Sequence, residues 1–120
     1  MTSFPLKLAV ASKEGLAISE HFGHAKQFRI YLVTPASCNF LEQREVAHYC
    51  HGQHGDQGAM AAILQTINDC QAVFVAKIGD GPTQKLQAIG VDAVGDYAYE
   101  AIEASLLDYA TKYAAEGIEE

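Results

Sequence analysis

The chain opens with a short apolar run, Leu6-Lys7-Leu8-Ala9-Val10-Ala11, which reads as a buried strand. A Gly-containing loop follows over residues 12–25. Phe28, Ile30 and Leu32 then alternate with Arg29, Tyr31 and Val33, which predicts a second strand ended by Pro35. Residues 40–47 read as a third strand with polar positions interspersed, and the 34–39 connection predicts a hairpin between the two. Asp56 is a suitable N-cap for a helix in which Ala59, Ile63, Ile67 and Cys70 recur at helical spacing, with Met60 and Leu64 widening the stripe. Ala72-Val73-Phe74-Val75-Ala76 is the clearest buried strand. Gly79-Asp80-Gly81-Pro82 leads into a short helix that ends at Gly90. Residues 91–94 predict a brief strand. Asp96 is placed to cap a final helix with Ala98, Ile102, Leu106, Tyr109 and Tyr113 on one face, and residues 116–120 are expected to fray.

The order β-β-β-α-β-α-β-α predicts an α/β fold. The later strands alternate with helices and should be parallel, while the early antiparallel hairpin makes the five-stranded sheet mixed. Three helices can cover both faces of such a sheet. The loops at the strand ends are then the natural ligand site.

Length and composition are compatible with this picture. A chain of 120 residues with 49% hydrophobic content can bury a core as one domain, expected to be ordered over about residues 6–115 with short tails. No apolar run approaches the roughly 18–20 residues that span a membrane, and the N-terminus lacks the pattern of a secretory signal. Three widely spaced cysteines do not form a disulfide framework, so a cytoplasmic location is expected. The net charge of −7 is unevenly placed: residues 21–54 carry +1 and the remainder −8. Such an acidic body argues against nucleic acid or membrane as partner, and leaves the 21–54 segment as the place where an anionic ligand meets least repulsion.

That segment also holds all five histidines and one of the cysteines. His21-Phe22-Gly23-His24 forms one group and His48-Tyr49-Cys50-His51-Gly52-Gln53-His54-Gly55 the other. Imidazole and thiolate bind borderline and soft metals and iron–sulfur centres. Gly23 permits a close approach of backbone to a ligand. His48 and Cys50 share one side of an extended chain, and His51 and His54 follow in the Gly-rich turn. An isolated H-x-x-H pair is more often two loop histidines than a site. A Cys among three His is a stronger concentration, although its spacings fit no familiar zinc finger. Cys70 reads as a small core residue and Cys38 as a thiol in the hairpin turn. Residues 79–82 lack the Gly-Lys-Ser/Thr ending of a phosphate loop. The two most apolar strands carry no carboxylate, which argues against two-metal nuclease chemistry. Three readings remain: a metallocluster carrier, a mononuclear metal-binding protein using the same His/Cys set, and an enzyme with Cys50 as nucleophile.

Several blocks resemble the NifX/NifB-type family of dinitrogenase iron–molybdenum cofactor-binding domains. They are Leu8-Ala9-Val10-Ala11-Ser12, Ile18-Ser19-Glu20-His21-Phe22-Gly23-His24-Ala25, Phe28-Arg29-Ile30-Tyr31, Tyr49-Cys50 with Gly52 and Gly55, Asp69-Cys70-Gln71-Ala72-Val73, and Ala76-Lys77-Ile78-Gly79 with Pro82. The resemblance runs from about Lys7 to Tyr113, and it looks nearest to the C-terminal domain of NifB proteins. The resemblance implies a ribonuclease-H-like fold and a non-enzymatic carrier of the iron–molybdenum cofactor or an iron–sulfur precursor, working with nitrogenase assembly proteins. By motif match, His21 would be the leading cluster ligand and Cys50 the next. His24, His48, His51 and His54 follow by proximity. Two departures stand out. The chain has no C-x-x-x-C-x-x-C radical-SAM motif, and Gly81 occupies a place where NifB-like members often carry Cys.

Overall fold

A computed structural model describes the backbone of residues 4–22, 25, 27–46 and 56–117, and their side chains apart from those of 56–61 and 116–117. Strands β1 (Leu6–Val10), β2 (Gln27–Thr34), β3 (Ser37–Glu45), β4 (Ala72–Phe74) and β5 (Asp92–Val94) form one sheet in the order β3-β2-β1-β4-β5. The pairs β3–β2 and β2–β1 are antiparallel, whereas β1–β4 and β4–β5 are parallel. Helices α1 (Asp56–Ile67), α2 (Asp80–Ala88) and α3 (Ile102–Gly117) complete the α/β architecture expected from the sequence.

Alternation along the strands divides the core into two layers. Ala9, Phe28, Ile30 and Val73 face Ile63 and Ile67 of α1 and Leu86 of α2. Leu6, Leu8, Val10, Tyr31, Val33 and Phe74 face Ile102, Leu106 and Ala110 of α3. Both faces of β1 and β4 are therefore buried, which explains why their sequences read as continuous apolar runs rather than alternating ones.

Helix α2 ends as the sequence predicts. Gly90 takes a left-handed φ of 81°. Its amide donates to the Gln87 carbonyl at 3.1 Å, and the Val91 amide donates to the Leu86 carbonyl at 2.9 Å. This is the Schellman arrangement, and Val91 and Leu86 both lie in the same core layer.

Four sequence expectations are corrected. The hairpin turn is tighter than the 34–39 span: Thr34 already pairs with Ser37, and the Ala36 amide donates to Thr34 Oγ1 at 3.1 Å. Cys38 consequently lies in β3, half-buried against the α3 layer, and not in a turn. Cys70 is buried as expected but follows α1 rather than lying on it. The last helix begins at Ile102, not after Asp96. Residues 16–18 instead hold the preceding segment by backbone pairing: Tyr99 N–H donates to Ile18 at 2.8 Å, Ile18 N–H to Glu100 at 3.0 Å, and Ile102 N–H to Leu16 at 3.0 Å. The last bond satisfies one of the N-terminal helix donors from a distant loop.

A charged cluster ties the hairpin to the end of α1. Arg44 places Nη1 2.7 Å and Nη2 3.0 Å from the two Asp69 carboxylate oxygens, and Nη1 also donates to the Thr66 carbonyl at 2.9 Å. Lys7 adds a 2.9 Å bond to Asp69. The Arg44 guanidinium holds the Asp69 carboxyl well below the usual carboxylate range.

Candidate functional site

In the order β3-β2-β1-β4-β5 the chain leaves β1 toward β2 on one side, and leaves β4 toward β5 on the other. The split between β1 and β4 is thus the topological switch point, where open α/β sheets form a crevice at the carboxyl ends of their strands. Residues 20–22 lie in that split. The Ala11 amide still donates to Phe74 at 2.8 Å, but the next bonds run to the inserted segment. Glu20 N–H donates to the Ala11 carbonyl at 3.2 Å, Ala76 N–H to the Glu20 carbonyl at 2.9 Å, and Phe22 N–H to the Lys77 carbonyl at 2.9 Å. His21 bridges Lys77 in the parallel sense, immediately beyond β4.

The local sequence explains this placement. Phe22 is almost fully buried in the layer beneath α1 and α2, with its ring centroid 6.4 Å from that of Phe28. Ile18 is buried in the opposite layer, beneath α3. These two apolar anchors fix the segment at both ends, and His21 between them stays half-buried. Its own amide donates to Glu20 Oε1 at 3.0 Å. The site backbone is therefore held by sheet-like bonds and core packing before any ligand arrives.

Beside Glu20 opens a hollow of about 260 Å³ lined by Ser12, Lys13, Glu20 and Gln27. Ser12 is buried, and its Oγ accepts the Gly15 amide at 2.8 Å. Ser19 Oγ accepts from the Lys13 amide at 2.9 Å and donates to Glu14 at 2.7 Å, which fixes the rim. Lys77 stands exposed next to His21. The sequence reading missed Ser12, Lys13, Glu20, Gln27 and Lys77. Ser12 and Lys13 follow the end of β1, Lys77 lies beyond β4, Glu20 belongs to the inserted segment and Gln27 begins β2 beside the end of β1.

Of the ligands expected from sequence, His21 is the one whose position is described. Gly23, His24, His48, Cys50, His51 and His54 lie outside the described residues. The described residues contain no group of three His, Cys, Asp or Glu side chains disposed to hold a metal. The other two thiols are poor candidates for thiolate donors. Burial, with Asp69 nearby, pushes Cys70 up to about 12. Burial, with Glu103 nearby, pushes Cys38 up to about 11. Neither is a thiolate near neutral pH, and neither lines the hollow beside Glu20.

Comparison with known proteins agrees with this architecture. The family model described as "Dinitrogenase iron-molybdenum cofactor" matches residues 5–112. A protein from Herbaspirillum seropedicae called FeMo cofactor biosynthesis protein NifB is 45% identical over 82 residues, covering 68% of this chain and 16% of that protein. Its namesake from Bradyrhizobium diazoefficiens is 41% identical over 86 residues, covering 72% of this chain and 17% of that protein. The chain thus spans about one-sixth of the length of these relatives. Among solved structures, that of the protein PH0822 aligns with a TM-score of 0.56 at 17% identity, covering 74% of this chain and 76% of the other. A structure from Methanocaldococcus jannaschii, titled as a candidate dinitrogenase, aligns with a TM-score of 0.50 at 15% identity, covering 96% and 92%. At such identities these two structures speak to the fold alone. The family model, which takes in the whole sheet, α1, α2 and most of α3, shows that the chain belongs to the dinitrogenase iron–molybdenum cofactor family.

Proposed function

We propose that the chain is a carrier for the iron–molybdenum cofactor or an iron–sulfur precursor of it during nitrogenase cofactor assembly, and that it is not itself a catalyst. The observation that carries this reading is the position of His21. Core packing fixes its backbone at the β1–β4 switch point, in a chain that matches the cofactor family over residues 5–112. The names of the relatives, FeMo cofactor biosynthesis proteins, point to the same pathway. The cluster is cargo, to be held and released. One imidazole on a rigid backbone gives a fixed attachment point, and Lys77 beside it offsets the Glu20 carboxylate that accepts from the His21 amide. The strand order β3-β2-β1-β4-β5, with β2 alone antiparallel to the other strands, supports the ribonuclease-H-like reading of the fold. The absence of carboxylates from β1 and β4 favours carriage over nuclease chemistry.

In this reading residues 1–120 act as one cofactor-binding unit in the cytoplasm, exchanging cargo with nitrogenase assembly proteins. No described helix is long and apolar enough to cross a membrane. Cys50 supplies the thiolate, because Cys38 and Cys70 are held as thiols by burial. His24, His48, His51 and His54 are further imidazole donors, with Gly23 allowing close approach of the cargo. Alkylation tests the assignment. Under anaerobic conditions, cluster loading should slow labelling of Cys50 by iodoacetamide about tenfold or more, and leave the slow labelling of Cys38 unchanged. Equal labelling of Cys50 with and without cluster would remove it from the site.

A further inference from the structure

The outer edge of the sheet carries a second feature, independent of the cluster reading. Helix α3 packs mainly over β1, β2 and β3, and beside β5 it buries Val94 but leaves the strand's outer part open. An open groove of about 550 Å³ results, lined by Asp92, Val94, Asp96, Tyr97, Tyr109 and Tyr113 among others. The three tyrosines are half-buried, so each offers part of a ring to the groove. They are held rigidly. Tyr109 stacks edge-on against Phe74 at 5.1 Å, and Tyr97 lies 5.8 Å from the same ring. Tyr109 donates its hydroxyl to Asp92 at 3.0 Å, Tyr97 donates to Asp108 at 2.7 Å, and Tyr113 accepts from Gln71 at 3.3 Å.

The floor of the groove borders a strand edge. Asp92 N–H donates to Gln71 and the Val94 carbonyl accepts from Val75, so these two residues turn their backbone groups toward β4. Ala93, between them, turns its N–H and C=O outward, because successive residues of a strand alternate. Among the described strands β5 is the last in the sheet, so this donor–acceptor pair is open to an added strand. Asp92 and Val94 lie on the groove face, and a strand laid beside β5 would turn every second side chain into the groove.

Charge selects the occupant. Lys112 lies 3.1 Å from Asp108 and is offset by it. Asp92 and Asp96 then leave the groove net negative, over tyrosine faces that attract cations. A second copy pairing β5 to β5 would bring these carboxylates together and is disfavoured. We propose that β5 and this groove form a docking site for an extended, basic segment of a partner protein, added as a sixth strand with alternate Arg or Lys side chains over Tyr109 and Tyr113, beside Tyr97, whose ring already carries the Lys112 ammonium 5.9 Å from its centre. Strand β4 separates this edge from β1 and the switch point, so a docked partner leaves His21 accessible.

The test uses a fluorescein-labelled peptide alternating Arg with Val, a Glu-for-Arg version, and an Arg version N-methylated at alternate residues. Anisotropy with the full chain should show saturable binding of the first peptide. Both other peptides, and the first peptide against Asp96→Lys, should bind at least tenfold more weakly, and Ala93 should show the largest backbone amide shift by NMR. Asp96 is exposed and lies outside β5, so its substitution spares the sheet; Asp92→Asn, which keeps an acceptor for Tyr109, gives a second variant with the same expected direction. No saturation up to about 1 mM, indifference to N-methylation, or amide shifts centred away from β5 would each overturn the proposal. So would a self-dimer abolished by Asp96→Lys.

Discussion

Replacing Phe74 with alanine should destabilise the protein by about 3–5 kcal/mol, the range for removing a fully buried aromatic side chain. Phe74 has no exposed surface and packs against Tyr97 and Tyr109 at the centre of the α3 layer. The cavity would lie under β4, where both faces are closed and little can relax into it. Against a total stability of about 5–15 kcal/mol for a domain of this kind, such a loss takes much of the margin. Urea unfolding checks it: the midpoint should fall sharply with the slope unchanged. Phe74→Leu should cost about 1.5 kcal/mol or less. A Phe74→Ala loss below about 1 kcal/mol would mean that β4 is not the core strand described.

His21→Ala should weaken anaerobic cluster binding about tenfold or more, the scale for losing even a supporting interaction at a metal site. Its effect on folding should be small, because the segment is anchored by Phe22 and Ile18 and by backbone bonds that alanine retains. Binding and urea stability measured on one preparation separate the two roles. Unchanged affinity would sink the ligand assignment. A large stability loss would make His21 a structural residue.

Much of this architecture was legible in the chain. Strands buried on both faces announce themselves as unbroken apolar runs, as at Leu8-Ala9-Val10 and Val73-Phe74. The stop at Gly90 follows from local chemistry, because the left-handed turn and both capping bonds lie within a few residues. What stayed hidden depends on partners distant in sequence. The true start of α3 rests on the Leu16 carbonyl, over eighty residues away, and Asp96 looked like a cap only because that partner was invisible. Cys38 looked like a turn residue because the two-residue turn at Pro35 and Ala36 is set by pairing of Thr34 with Ser37. The site divides in the same way. His21 was marked by its motif, whereas the insertion of residues 20–22 between Ala11 and Ala76 is a product of strand order. Of the hollow-lining residues, Ser12 and Glu20 fall inside resemblance blocks without being marked as site residues, and Lys13 and Gln27 carry no motif.

Carriage of a metallocluster is tested most directly by anaerobic titration of the purified chain with an iron–sulfur precursor cluster, followed by gel filtration and ultraviolet–visible spectroscopy. The account predicts saturable uptake, with broad sulfur-to-iron charge-transfer absorption travelling with the protein and returning to free solution when an acceptor or chelator is supplied. Protein that emerges without this absorption, yet binds zinc stoichiometrically under the same conditions, would contradict cluster carriage and establish a mononuclear metal site instead.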